Sequence, residues 1–160
     1  MKEFLKENIV QILFLFFLSL VLIFGVQIIS ARFYMTANFE NIENIGDRIR
    51  CTRALGWQVD KNSETVRNIF IPAEITQEFS KYNEIQKLCG FDLSNYTGKG
   101  AQVYTYRILN FFQNKNVNAF LNMIIRDGKM IGGDCTVEEY SELHLPVRLV
   151  EPDTYITAGE

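Results

Sequence analysis

The 160-residue sequence predicts an α+β protein, with a single amino-terminal transmembrane helix followed by a small domain whose antiparallel sheet is packed by two helices. Three observations predict it. An apolar run without a charge extends from Asn8 to Ala31. An Asp127-Gly128 pair sits between two β-rich runs, the signature of a tight hairpin. The remaining signals follow the order α, β, α, β, β, β, which does not alternate helix with strand and so argues for an antiparallel sheet carrying its helices on one face.

From Ile9 to Ile29 the chain has 21 residues, 17 of them Leu, Ile, Val or Phe; the exceptions are Gln11, Ser19, Gly25 and Gln27. As a helix this run spans about 31 Å, close to the roughly 30 Å of a hydrocarbon core. It is apolar all round, unlike a half-buried core helix. A cleaved signal would have a shorter apolar core and small residues before the cut, and Gln27 to Phe33 offers no such site. Residues 1–31 therefore read as an anchor. Lys2 and Lys6 precede the run and only Arg32 closely follows it, so the positive-inside bias puts the amino terminus in the cytoplasm and the rest outside. Residues 32–43, with Phe33, Tyr34 and Phe39 suited to a membrane interface, read as a stalk.

Residues 44–140 read as the folded domain. A helix is expected from Asn44 to Leu55, capped by Asn44 and closed by Gly56, with Ile45, Ile49, Thr52 and Leu55 on its buried stripe. Arg48, Arg50 and Arg53 would face water. Trp57 and Val59 continue as a short extended piece. Thr65 to Pro72 is β-rich and ends at a proline, which suits an edge strand. A second helix is expected from Thr76 to Cys89, with Gly90 closing it and Phe79, Tyr82, Ile85 or Gln86, and Cys89 turned inward. Gly90 to Gly100 reads as a loop pinned by Phe91, Leu93 and Tyr96, with Asp92 closing its turn through backbone N–H groups. Gln102 to Phe112 reads as a strand whose better apolar face is Tyr104, Tyr106, Ile108 and Phe112. In the hairpin Val117–Cys135 a two-residue loop sets Arg126 opposite Lys129, Ile125 opposite Met130, Ile124 opposite Ile131 and Met123 opposite Gly132. Residues 141–160, acidic and mostly polar, read as a loosely docked tail.

Five blocks in this order carry a family resemblance: Leu55-Gly56-Trp57-Gln58-Val59, Ile71-Pro72-Ala73-Glu74, Tyr82-Asn83-Glu84-Ile85-Gln86, Gly90 to Lys99, and Asp127 to Asp134. Together they resemble domain of unknown function 4830 over residues 44–136. That resemblance implies a small bacterial domain behind a single amino-terminal anchor or signal. It implies no activity and no catalytic residue, and it leaves the tail beyond Cys135 uncovered.

Composition narrows the chemistry further. With 16 Lys and Arg against 19 Asp and Glu, the net charge of −3 argues against a nucleic-acid partner, which needs a basic surface. The single histidine, His144, excludes a multi-histidine zinc site, and no cofactor is expected. Cys51, Cys89 and Cys135 read as small buried apolar residues, with a bridge between one pair as the alternative. Gly132-Gly133-Asp134 is similar to the half-motif of diguanylate cyclases, yet Cys135 and Thr136 follow where a further acid is needed. The plainer reading is that two glycines let a helix or loop cross the hairpin closely. A Cys135–His144 nucleophile and base would lack an orienting third group. The weak binding candidates are Tyr104 and Tyr106, which share one strand face, and Asp134.

These signals converge on a non-enzymatic, membrane-tethered extracytoplasmic recognition domain with a protein or cell-envelope partner. An envelope hydrolase using Asp134 and an unidentified neighbour, or a structural or assembly role, are the alternatives.

Overall fold

The computed structural model describes residues 2–111, 117–138 and 140–148. It falls into two compact units, one ending at Asn38 and one beginning at Phe39. The first is a single helix, α1 (Lys2–Phe39), whose residues Gln11–Ser30 are long and apolar enough to cross a membrane. Its polar interruptions are satisfied locally: the Ser19 hydroxyl donates to the Phe16 carbonyl and the Ser30 hydroxyl to that of Val26, both at 2.7 Å. Neither hydroxyl is left unpaired on the apolar helix.

The second unit is a five-stranded antiparallel sheet in sequence order with two helices. Its strands are β1 (Thr65–Phe70), β2 (Gly100–Arg107), β3 (Ala119–Arg126), β4 (Lys129–Val137) and β5 (Tyr140–Pro146). Helix α2 (Ile45–Ala54) starts at a capping box, in which Asn44 Oδ1 accepts from Asp47 N–H and the Asp47 carboxylate accepts from Asn44 N–H, each at 3.2 Å. It stops at Gly56, whose φ of 92° a β-carbon would resist. Helix α3 (Gln77–Leu88) is capped by the Thr76 hydroxyl on Phe79 N–H and closes at Gly90, φ 84°. The spans of both helices and the edge position of β1 agree with the sequence reading, but Ile45, expected on the buried stripe of α2, is exposed.

Five further expectations are corrected. The helices do not share one face. On β2, Tyr104 and Tyr106 meet Arg48 of α2, whereas Val103 packs with Phe79 of α3, Leu93 and Ile124. Alternate strand residues point to opposite faces, so α2 and α3 cover opposite sides of the sheet. Arg48 is accordingly drawn inward and retains only 12% of its side-chain exposure. The stalk reading also fails at its end: α1 continues to Phe39, which is buried edge-on against Phe91, and Ile42 N–H donates to Gly128 C=O at 2.8 Å. The side chains of Phe33 and Tyr34 lie outside the described residues. Within the expected tail, residues 141–148 belong to the fold: β5 pairs with β4, and Val147 is fully buried, its carbonyl accepting from Trp57 Nε1. Phe112 and the acidic residues beyond 148 lie outside the described residues.

The fifth correction is the hairpin register. Asp127 and Gly128 form the expected turn, with φ of 49° and 71°, and Arg126–Lys129 and Ile125–Met130 pair as expected. Beyond them a β-bulge places Ile124 opposite Gly132 and Met123 opposite Gly133. The bulge sets Ile131 and Gly132 on the same side, facing α3. There the close crossing expected of the two glycines is found. A β-carbon on Gly132 would lie 2.9 Å from Gln86 Oε1 and 3.0 Å from Leu93. One on Gly133 would overlap the Asn122 carbonyl oxygen and crowd Met130 and Val147.

Gly133→Ala is therefore expected to destabilise the domain by about 1–3 kcal/mol, the usual range for overpacking, and more than Gly132→Ala, whose neighbours are side chains that can yield. Urea unfolding of the full chain in detergent, followed by Trp57 fluorescence, measures both.

Candidate functional site

The uncovered part of the α3 face of the sheet forms a cleft of about 870 Å³. Helix α3 is only 12 residues long and cannot roof five strands. Phe79, Leu93, Val103 and Ile124 make an apolar floor beside it. Beyond them the register aligns one polar row across four strands: Thr65 opposite Thr105, Thr105 opposite Asn122, Asn122 opposite Asp134. The row is internally bonded. The Thr105 hydroxyl lies 2.6 Å from Asn122 Oδ1, and Asn122 Nδ2 donates to the Thr136 hydroxyl at 3.3 Å.

Asp134 is the buried charge of this row, with 4% of its side chain exposed. Burying a carboxylate is costly unless it is paired and hydrogen-bonded. His144 on β5 supplies the partner, its Nδ1 bonded to Asp134 Oδ2. The Tyr82 ring packs edge-on against the imidazole with centroids 5.1 Å apart, and its hydroxyl sits beside the same carboxylate. The Asp134 hydrogen bond and charge raise the His144 pKa above the ordinary value, against partial burial and the Arg67 cation, which lower it. Burial first, and then the Asp134 charge, push the Tyr82 phenol far up, so it stays a neutral hydroxyl. Arg67 on β1 and Glu78 on α3 complete the charged lining.

Of the three weak binding candidates, only Asp134 enters the cleft, where His144, weighed from sequence as a possible base, joins it. Tyr104 and Tyr106 lie on the opposite face, where they serve the fold. Arg48 stacks over the Tyr104 ring at 4.3 Å and donates to both Glu64 carboxylate oxygens, at 2.9 and 3.0 Å. Tyr106 is fully buried, and its hydroxyl is bonded to Arg48 and Glu64. Burial would raise the Glu64 pKa, but the Arg48 and Tyr106 hydrogen bonds outweigh it and hold the carboxylate below its usual range.

The structure does not bring Cys135 and His144 together as nucleophile and base. Cys135 is fully buried beside Leu121 on the α2 face, and its thiol is pushed well up, chiefly by desolvation. All three cysteines are buried, and none is in a disulfide. Among the described residues no cluster of three metal-ligating side chains is present. Asp92 does close its turn, accepting from Ser94 N–H at 3.0 Å. Asn83 and Ser94 hydrogen bonds bring its pKa down to about 2.

Sequence reasoning missed Asn83, which fixes the loop to α3 by donating to Asp92 at 2.8 Å and accepting from Leu93 N–H at 2.7 Å. Its spacing of i+4 from Phe79, in phase with Gln86, was the available signal. The juxtaposition of His144, Arg67 and the polar row had none, because they meet only through strand pairing.

Fold and site together define an α+β domain with a half-open sheet face behind a helix that could cross a membrane. The chain belongs to the family Domain of unknown function (DUF4830), whose model matches residues 53–135, more than half of its length. No curated protein and no solved structure matches it.

The Asp134–His144 pair makes a signed pH prediction. A histidine pKa raised on folding contributes stability that is fully present below the unfolded value, about 6.5, and lost as pH rises through the folded value. The melting temperature should therefore fall as pH is raised through that window, and Asp134→Asn should flatten the dependence. Because His144 is the only histidine, a single imidazole NMR resonance reports its titration directly.

Proposed function

We propose that the chain is a membrane-tethered domain that recognises a protein or cell-envelope component outside the cytoplasm and carries out no reaction of its own. The observation that carries this reading is the cleft, a concave surface with an apolar floor and a row of placed polar groups, the usual make-up of a binding site. The tether rests on the 20-residue apolar stretch Gln11–Ser30, and the orientation on Lys2 and Lys6 before it. On this reading the recognition surface is the α3 face, with Asp134, rather than the face of Tyr104 and Tyr106.

Thr136→Trp, which fills the cleft from a half-buried position, should reduce crosslinking to an envelope partner at least tenfold, while Thr136→Ser leaves it unchanged. Crosslinking that survives the tryptophan would reject the cleft as the surface. A reporter phosphatase fused after the domain should be active only with the domain outside; an inactive fusion of normal abundance would reverse the orientation.

The Asp134–His144 pair favours a second reading, an envelope hydrolase. Among the described residues none is hydrogen-bonded to His144 Nε2, and the side chain is 43% exposed, as a general base requires. Against it, no hydroxyl or thiol among the described residues is hydrogen-bonded to His144. Turnover of a peptide, ester or glycan substrate that disappears in Asp134→Asn would establish this alternative.

A further inference from the structure

The edge of the sheet at β1 borders the cleft, and its geometry specifies a ligand class; this inference rests on the recognition reading. Just beyond β1, Ile71 N–H donates to the Lys99 carbonyl at 2.9 Å and Ile71 C=O accepts from Gly98 N–H at 3.0 Å. Alternate residues of an antiparallel strand bond to the same neighbour. Ile69, Arg67 and Thr65 therefore turn their backbone groups toward β2. Val66, Asn68 and Phe70 turn theirs the other way, and among the described residues no strand lies there.

Exposed edges of this kind are ordinarily blunted by lysine, proline or a bulge. The segment Thr65–Phe70 has no lysine, proline or bulge, and its one charge is Arg67. It instead leaves Val66 50% and Phe70 67% exposed, with Ile75 nearby in sequence at 62%. Arg67, exposed on the cleft side, has no carboxylate at ion-pair distance among the described residues.

We infer that β1 accepts an extended peptide as a sixth strand, with an acidic residue beside Arg67 and apolar residues beside Val66 and Phe70. Side chains directly opposite in paired strands share a face. The residue facing Arg67 therefore projects over the cleft, and those facing Val66 and Phe70 project over the other side of the sheet. Main-chain bonds to Val66, Asn68 and Phe70 supply affinity, and the alternation supplies selectivity.

Two fluorescent hexapeptides test this against the full chain in detergent micelles, one alternating valine with glutamate and the other valine with lysine. Saturable binding is expected for the glutamate peptide, at least tenfold tighter than for the lysine peptide, with the preference reversed in Arg67→Glu. Asn68→Pro removes an outward N–H without touching a bond to β2, and should abolish binding, while Asn68→Ala should not. Methylating alternate backbone nitrogens of the glutamate peptide makes the same test with the unaltered protein, should Asn68→Pro fail to fold.

Equal affinity for both peptides, absence of saturable binding, or indifference to backbone methylation overturns the proposal. So does a concentration-dependent dimer lost in Asn68→Pro, which would make a second copy the occupant. Loss of the envelope partner in Thr136→Trp with no peptide bound would reject this inference while leaving recognition at the cleft in place.

Discussion

The bulge at Ile131–Gly132 is the constraint on which the arrangement of the domain depends. A one-residue slip in a strand turns every following side chain to the other face of the sheet. Without the bulge, Asp134 would pair with Leu121, which lies opposite Tyr106, and would point into the α2 side. With it, Asp134 pairs with Asn122 and points to the α3 side, where His144 and Tyr82 meet it. The two glycines make the distortion compatible with a tight helix crossing. Gln86, fully buried in α3, reaches β4 and accepts the Gly133 N–H at 2.7 Å, which any side chain at Gly132 would obstruct. One backbone irregularity thus seats the helix and orients the acid of the cleft.

Burial on both faces of the sheet follows from short helices. Helix α2, with 10 residues, contributes Cys51 and Thr52 to the buried set and sends Arg48 to close the polar end of its side. There the bidentate Arg48–Glu64 contact and the Tyr106 hydroxyl satisfy one another at the margin of the core. Helix α3 leaves the opposite half of its face open. The cleft is therefore a consequence of helix length, and its lining is whatever strand pairing assembles there.

What the sequence made legible was local. Caps at Asn44 and Thr76, stops at Gly56 and Gly90, the Asp127-Gly128 turn and the Asp92 turn each depend on residues within a few positions of one another, and each is found. What escaped was set at a distance. The strand at Tyr140–Pro146 reads as polar because its pairing partner β4 and the carboxylate awaiting its histidine are what stabilise it. Arg48 reads as solvent-facing because its partners, Glu64 and Tyr106, are 16 and 58 positions away. Tyr104 and Tyr106 were recognised as sharing a face, but the other side of the sheet carries the open surface.

The order of dependence within the cleft also bears on what it can do. A carboxylate as buried as Asp134 needs a partner before it can serve anything else. That partner comes from the last described strand, so the cleft wall is complete only when β5 is docked. The pair thereby has a structural task that its geometry discharges fully: Nδ1 of His144 is committed to Asp134, and the Tyr82 ring fixes the imidazole plane. A catalytic reading requires a further group at Nε2 to receive or supply a proton, whereas a binding reading requires only that Nε2 remain available. Of the two demands, the described residues meet the second without addition. That difference, rather than the presence of an acid and a histidine as such, is what weighs toward recognition.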